Sequence, residues 1–415
     1  MSQTGIYRLQ CQTQSYDWGK LGSESKVAQF ASKSGITVDP TKPYAELWMG
    51  THPNAPSVIM DNSESLKSLI KQNPSLSTQA IYDQYNGDLP FLFKILSIRK
   101  ALSIQAHPDK TLGARLFKEH PTIYKDPNHK PEMALALTPF EALCGFRPLN
   151  EIVQHLEKYP EFAQLVGSDV ANGFINSVGD DKTDTDKKAA LKQLFSSLMN
   201  SSVQDVTFYL STLTSRLSQL PVSNLDTMDQ LVLRLDREYP GGDVGVFSSL
   251  LLNYVVMTPG QAIFLGANEP HAYLSGDCVE CMAASDNVIR AGLTPKFKDV
   301  KVLVEMLSYR YGSAEGQKMK PVTYGSHSLL YDPPIDEFSV IQTQLTSNQD
   351  EKHAPIQGPS ILIVTGGTGE LTGEALKTES TFTLKEGYVY FIGAGIPLNI
   401  HAGEHGLELY RAYNA

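Results

Sequence analysis

The chain reads as a mainly β protein interrupted by a helical insertion, and three features say so. Short apolar runs punctuated by Pro40, Pro43, Pro53, Pro56, Gly87, Pro90, Pro108, Pro127 and Pro131 fill the first 150 residues, a strand-and-loop style. Between residues 151 and 250 the apolar residues instead fall three and four apart, the period of an amphipathic helix. From Met257 the strand style resumes, and residues 260–271 (GQAIFLGANEPH) align without gaps on 387–398 (GYVYFIGAGIPL).

Taken in order, helical pieces interrupt the first region at Leu66–Lys71 and Lys110–Glu119. Asn150 is a plausible N-cap for a helix carrying Ile152, Val153, Leu156, Tyr159 and Phe162 on one face. The polar stretch Gly179–Lys188 reads as a solvated loop. Helical spacing returns at Leu191, Leu194, Phe195, Leu198 and Met199, then at Val203, Val206, Leu210, Leu213 and Leu217, then from Met228 to Leu235. In the echo, Gly260/Gly387, Phe264/Phe391, Gly266/Gly393, Ala267/Ala394 and Pro270/Pro397 match, which predicts two related β-barrel units. The last pair sets His271 against Leu398, so the second unit lacks whatever His271 does. The expected domains are 1–150 with 251–325, a helical insert at 151–250, and a C-terminal unit at 326–415.

The 415 residues suit about two to three domains, and 41% hydrophobic content with 16 Phe and 19 Tyr excludes global disorder. A net charge of −10 without any long Lys/Arg cluster argues against nucleic acid and anionic membranes as partners. An anionic substrate would therefore need a local basic pocket. Four cysteines, Cys11, Cys144, Cys278 and Cys281, make no disulfide framework. Met1–Gln14 has neither a basic n-region nor an apolar h-region, and the apolar stretch Ser249–Met257 is far too short to span a bilayer. The expectation is a cytoplasmic monomer.

The chemistry concentrates in three segments. In Leu89–Lys110 (LPFLFKILSIRKALSIQAHPDK), two strands flank an Arg99-Lys100 turn. Alternation puts Ser103, Gln105 and His107 on one face and Leu102, Ile104 and Ala106 on the other, a polar row suited to a barrel interior that is a site. Lys94 is the one charge in its run; it belongs either to a polar cavity or to an edge strand from which it snorkels. The second segment, Tyr124–Met133, packs charge and proline together before the apolar strand Met133–Leu137. In the third, Glu269–Leu274, His271 and Tyr273 share a face. Neutral imidazoles, a carboxylate and an amide oxygen would suit Zn²⁺ or another borderline divalent ion. The other histidines (52, 120, 129, 155, 327, 353, 401, 405) read as core or surface residues. Cys278 and Cys281 form a CxxC without a second pair and read as buried small residues. Gly366-Gly367-Thr368-Gly369 reads as a hairpin turn rather than a phosphate loop.

The segments YKDPNHKPE (124–132) and HAYLSGDCVECMAASDNVIRAGLTPK (271–296) resemble the two signatures of the type I phosphomannose isomerases. SIQAHPDK (103–110), YAELWMGTHPNAPS (44–57) and LPFLFKIL (89–96) are similar to that family as well. The resemblance implies a cupin, or jelly-roll, β-barrel catalytic domain, a helical insertion, and a second, degenerate cupin-like C-terminal domain. It implies one zinc per chain on Gln105, His107, Glu132 and His271. It further implies interconversion of mannose 6-phosphate and fructose 6-phosphate, a step that feeds GDP-mannose.

That reaction moves a proton between C1 and C2 through an enediol, so it needs charge stabilisation and an acid–base group. By resemblance Arg290 is the catalytic arginine; its alternative is an ion pair with Asp286 or Glu280. The acid–base candidates are Lys130 and Glu280, with Asp286 behind them. Ser103, Lys94 and Lys296 are the phosphate candidates, Tyr273 a liner of the sugar site, and Glu46 and Trp18 its closure, aromatic packing being the alternative for Trp18. A cupin dioxygenase holding non-haem iron on His107, Glu132 and His271 is one rival reading, which does not account for Gln105 or the surrounding Lys and Arg; a non-enzymatic sugar-binding or storage barrel, which would need no metal and would keep its ligand on chelation, is the other.

Overall fold

The computed structural model describes residues 5–373 and 381–415. Among these, nearly all strands fall into two large antiparallel sheets, and the helices between Leu149 and Ser248 bury their apolar residues in one shared cluster. The mainly β architecture with a helical insertion is thus as expected.

The first sheet runs, edge to edge, Lys318–Met319, Ala262–Leu265, Glu132–Ala136, His271–Ala283, Phe91–Ile98, Glu46–Met49 and Gln12–Gln14. Its long central strand, His271–Ala283, changes partners along its length. The first half pairs with Phe140–Phe146 and Ile104–Ala106, the second with Phe91–Ile98 and Glu132–Ala136. The change falls at Gly276, whose φ of +111° and close approach to the Pro139 carbonyl leave no room for a side chain. The sheet thereby folds over itself, and Leu96, Ala136, Phe140, Ala142, Val255 and Tyr273 from both halves share one apolar interior. Phe91–Ile98 and Ile104–Ala106 do not pair with each other as a hairpin would; each pairs with a different half of the central strand.

The second sheet runs Val58–Ile59, Ile6–Gln10, Val389–Ile392, Ser360–Gly373, Leu398–Tyr413, Ser339–Leu345, Ser328–Tyr331 and Val322–Thr323, and after the extra edge strand Val58–Ile59 it repeats the order of the first. The sequence echo is therefore structural. Gly260 and Gly387 both have positive φ (+85° and +83°), and each is followed by a four-residue strand and then by a long strand opening on His271 or Leu398. The first strand of the chain, Ile6–Gln10, belongs by pairing to this C-terminal sheet, while Gln12–Gln14 belongs to the other. The Gly366–Gly369 run is not a hairpin turn. It is a register break inside Ser360–Gly373, with φ +76° at Gly367, because the strand continues past it onto a second set of partners.

Alternation assigns the faces. Phe91, Phe93, Ile95, Met133, Leu135, Val279 and Cys281 meet Val340, Ile361, Ile363, Phe391 and Tyr410 of the second sheet in one buried cluster. Their neighbours one residue along point into their own units. Cys278 and Cys281 consequently face opposite sides and are both free and buried, as small core residues.

The helices Leu66–Gln72 and Lys110–Glu119 lie where the spacing placed them, the latter capped by the Asp109 carboxylate on the Leu112 amide. The helices Lys26–Lys33, Gln79–Tyr85 and Val300–Met306 were not read from the sequence; each is only seven or eight residues long, too short to show more than two turns of apolar spacing. Asn150 is not an N-cap. The helix starts at Leu149 behind Pro148, with no side-chain cap, and Pro160 begins the next helix. The polar loop ends at Thr183, which caps a helix running Asp184–Met199. No helix among the described residues is long and apolar enough to cross a membrane.

Candidate metal centre and active site

Gln105 is the hinge of the site. On one side it pairs in register with His271, on the other with Arg290 of the strand Ile289–Gly292. Residues opposite one another across a ladder point to the same face. His271, Gln105 and Arg290 therefore form one row, although their sequence positions give no hint of it.

His107 and His271 are both buried, their ring centroids 5.0 Å apart. Each Nδ1 meets a backbone carbonyl, that of Asn287 at 2.6 Å for His107 and that of Glu269 at 3.0 Å for His271. A carbonyl only accepts, so Nδ1 carries the proton and each Nε2 presents a lone pair. Both lone pairs face the Glu132 carboxylate, with Nε2 of His107 3.3 Å from Oε1 and Nε2 of His271 3.3 Å from Oε2. His107 Nε2, His271 Nε2 and Glu132 Oε2 are buried without a hydrogen-bond partner among the described residues. One donor atom from each residue falls within a mutual 4.8 Å. Buried polar atoms are ordinarily satisfied. Three that converge, two neutral nitrogens and a carboxylate oxygen, fit a divalent cation of the zinc type. Burial lowers the His107 pKa to about 4, which keeps its imidazole neutral. Burial would raise the Glu132 carboxyl; with both imidazoles neutral, the Lys130 ammonium beside it is the charge that opposes burial.

Two loops fix this geometry, and they lie in the two signature segments. The Asn287 amide donates to the backbone carbonyls of Asp126 and Asn128, and Ser285 donates to the Asp126 carboxylate. The stitching holds the Asn287 carbonyl against His107 and leads the 124–131 loop into the Glu132 strand. Lys130 Nζ reaches 3.4 Å from Glu132 Oε1.

Beside the triad is a second charged group. Lys94 Nζ lies 3.1 Å from Glu280 Oε2 and 3.6 Å from Glu46 Oε2, and all three residues are buried. Register explains the contact, since Glu280, Lys94 and Trp48 stand in a row across three adjacent strands. Lys94 is therefore a buried, paired lysine on a central strand and not a snorkelling edge residue. Burial works against its charge, but Glu46 and then Glu280 prevail and its pKa is raised. Burial raises the Glu280 carboxyl, Lys94 opposing. Tyr273 adds a buried hydroxyl without a hydrogen bond, its pKa pushed up by burial and by Glu280.

Arg290 is half-buried and makes no ion pair among the described residues; neither Asp286 nor Glu280 is its partner. It lines a cavity of about 410 Å³ together with Tyr124, Phe297 and Asp299. Lys296 is exposed at the start of the loop that carries Phe297 and Asp299. Ser103 is half-buried, two residues before Gln105. Trp18 stacks on Tyr16 with centroids 5.6 Å apart and packs on the apolar interior. Asp286 is brought elsewhere. It is exposed, 3.8 Å from His52, in a cavity it shares with Asp88 and Asp126.

The sequence reading missed Trp48, which donates to Glu46 and lies 5.2 Å from the Lys94 ammonium, and Asn287, which orients His107. Trp48 was legible as the residue alternating with Glu46; the Asn287 contact, through a main-chain carbonyl, had no sequence signal.

Comparison with known proteins matches the same regions. Family profiles described as phosphomannose isomerase type I match at residues 6–149 (catalytic domain), 165–252 (helical insertion domain) and 328–373 (C-terminal). The chain belongs to the type I phosphomannose isomerase family. Mannose-6-phosphate isomerase of Saccharomyces cerevisiae is 44% identical, covering 98% of this chain and 98% of its own. That of Schizosaccharomyces pombe is also 44% identical, covering 98% and 99%. Among solved structures, a phosphomannose isomerase point mutant from Salmonella typhimurium superposes with a TM-score of 0.83 at 34% identity, covering 99% of each chain. A mannose 6-phosphate isomerase bound with zinc and yttrium superposes with a TM-score of 0.82 at 33% identity, again over 99% of each.

Proposed function

We propose that this chain is an aldose–ketose isomerase that interconverts mannose 6-phosphate and fructose 6-phosphate, a step that feeds GDP-mannose formation. The observation that carries the reading is the convergence of His107 Nε2, His271 Nε2 and Glu132 Oε2, buried and unpaired, in a chain of this family. One zinc per chain would be held there by these residues and Gln105, and it would supply Lewis-acid polarisation of the sugar oxygens.

The chain's own groups supply the rest. Arg290, in register with Gln105 and free of any carboxylate among the described residues, is free to face an enediolate oxygen with its guanidinium. Lys130 and Glu280 are the proposed proton carriers between C1 and C2. Glu280 is suited to exchange protons because burial lifts its pKa while Lys94 keeps it oriented. Asp286, exposed beside His52, has no such setting. Lys94 is already engaged by two carboxylates, so we assign it to orienting Glu280. The exposed Lys296 and the half-buried Ser103 then remain as the phosphate donors, with Tyr273 lining the sugar site and Trp18 and Glu46 closing it.

The test is a coupled assay of mannose 6-phosphate conversion, before and after dialysis against a chelator, with zinc added back. Activity lost on chelation and restored by zinc supports the reading. Stoichiometric zinc binding without isomerisation in either direction would overturn it.

A further inference from the structure

The second unit has its own buried interior, and its charge is inverted. Matching the two sheets by register makes the comparison residue by residue. Glu132 stands between Leu265 and Met282; Ser360 stands between Ile392 and Tyr413. Glu280 stands between Ala134 and Lys94; Arg411 stands between Leu362 and Ile341. Gln105 lies opposite His271; His353 lies opposite Leu398. The interior that holds carboxylates and a metal triad in the first unit thus holds an arginine, a histidine and a serine in the second.

Arg411 is fully buried. Its Nε donates to Ser360 Oγ at 2.9 Å, whereas Nη1 and Nη2 have no partner among the described residues. None of the ion pairs among those residues includes it, and burial lowers its pKa to about 10. His353 lies close by. Its Nε2 is 2.9 Å from Thr343 Oγ1, which is itself bonded to Ser328, and its Nδ1 is buried and unpaired. Burial, and then the Arg411 charge, lower the His353 pKa to about 3, so the imidazole is neutral. A hydroxyl can donate to Nε2, which leaves the proton on Nδ1 as a second free donor. Tyr324 covers the imidazole edge-on with ring centroids 5.4 Å apart.

A guanidinium taken out of water without a counter-charge is strongly unfavourable, and unpaired buried donors add to the cost. We propose that the interior of the C-terminal unit is an anion site, in which Nη1 and Nη2 of Arg411 and Nδ1 of His353 bind one small, halide-sized monovalent anion. Full enclosure of Arg411 and His353 sets the size limit; a sugar phosphate is excluded. The anion completes the core of this unit and is independent of the isomerase centre.

Two measurements test this. Crystals of the full-length protein grown with bromide as the halide should show an anomalous peak within hydrogen-bond reach of Arg411 Nη1 and Nη2. In solution, replacing gluconate by chloride at constant ionic strength should raise Tm along a saturating curve by on the order of a few degrees. Arg411→Met should abolish that dependence. Water alone beside Arg411 in the bromide crystals would overturn the proposal, as would a chloride response of the same size in the variant. If Arg411→Met does not fold, the bromide map decides by itself. Isomerase activity enters neither readout, so this proposal and the functional one fail separately.

Discussion

Replacing Lys94 by methionine should convert the most compact charge cluster of the site into its weakest point. The ammonium sits 3.1 Å from Glu280 and 3.6 Å from Glu46, and all three residues are buried. Methionine fills nearly the same volume, so the packing cost is small and the loss is electrostatic. Two buried carboxylates would then face each other without the ammonium between them, with Glu132 adding further negative charge. Removing one partner of a buried ion pair costs about 3–5 kcal/mol. The protein can escape part of this by protonating Glu280, whose carboxyl burial already raises. A carboxyl with a raised folded-state pKa favours the folded state at low pH, and that advantage is lost as pH climbs through the folded value. The deficit of Lys94→Met should therefore be smallest near pH 5 and largest at pH 8. Urea unfolding at both pH values, with an unchanged m-value, reads it directly. In the Lys94→Met background, Glu280→Gln should recover about 2 kcal/mol or more at pH 8, a coupling a double-mutant cycle measures. A loss below about 1 kcal/mol, the same loss at both pH values, or simple additivity would refute the reasoning.

Four other outcomes follow from the same geometry. His271→Ala should lower zinc content, measured by elemental analysis, together with isomerase activity by at least about 100-fold, because one of the converging nitrogens is gone. Arg290→Lys should depress kcat by about 10²–10³ with a smaller change in KM, since a point charge does not replace a planar fork aimed at a developing oxyanion; steady-state kinetics check this. Glu337, buried against His129 at 2.7 Å and Lys110 at 2.8 Å, has its carboxyl lowered to about 2 because these partners outweigh burial. Its contribution is full above the ordinary carboxyl range and lost as pH falls towards 2, so Glu337→Gln should flatten the decline of Tm between about pH 4.5 and 2. Gly276→Ala should destabilise by at least about 2 kcal/mol in urea titrations, because φ is +111° and a Cβ would stand 2.5 Å from the Pro139 carbonyl oxygen.

Much was determined by sequence alone, and it was the local part. Alternation on a strand has period two, so the lone Lys94 among apolar neighbours was visible without coordinates, whereas the expected strand face Ser103-Gln105-His107 is cut short, the strand covering only Ile104–Ala106. The 3.6 period marked most of the insert's helices, and the echo of 260–271 in 387–398 announced a second unit whose strand order repeats the first. The two long signatures revealed the family. Tertiary structure decided what depends on pairing between distant segments. Gln105 meets His271 and Arg290 only because Ile104–Ala106 is flanked by two strands drawn from much later in the chain. The lone lysine became a buried pair, and not a snorkelling residue, only when Glu280 and Glu46 arrived on neighbouring strands. Asp286 and Glu280 are equivalent in a sequence; one is exposed beside His52 and the other buried beside Lys94, because the long strand His271–Ala283 ends before the first and contains the second. The same holds for Arg411, an ordinary cation in the sequence that becomes a buried one with no ion-pair partner among the described residues once its strand is flanked by Ser339–Leu345 and Ser360–Gly373. A residue's type and its face follow from chain geometry that is local. Its charge state, partners and access to water follow from burial, which only the assembled sheets create.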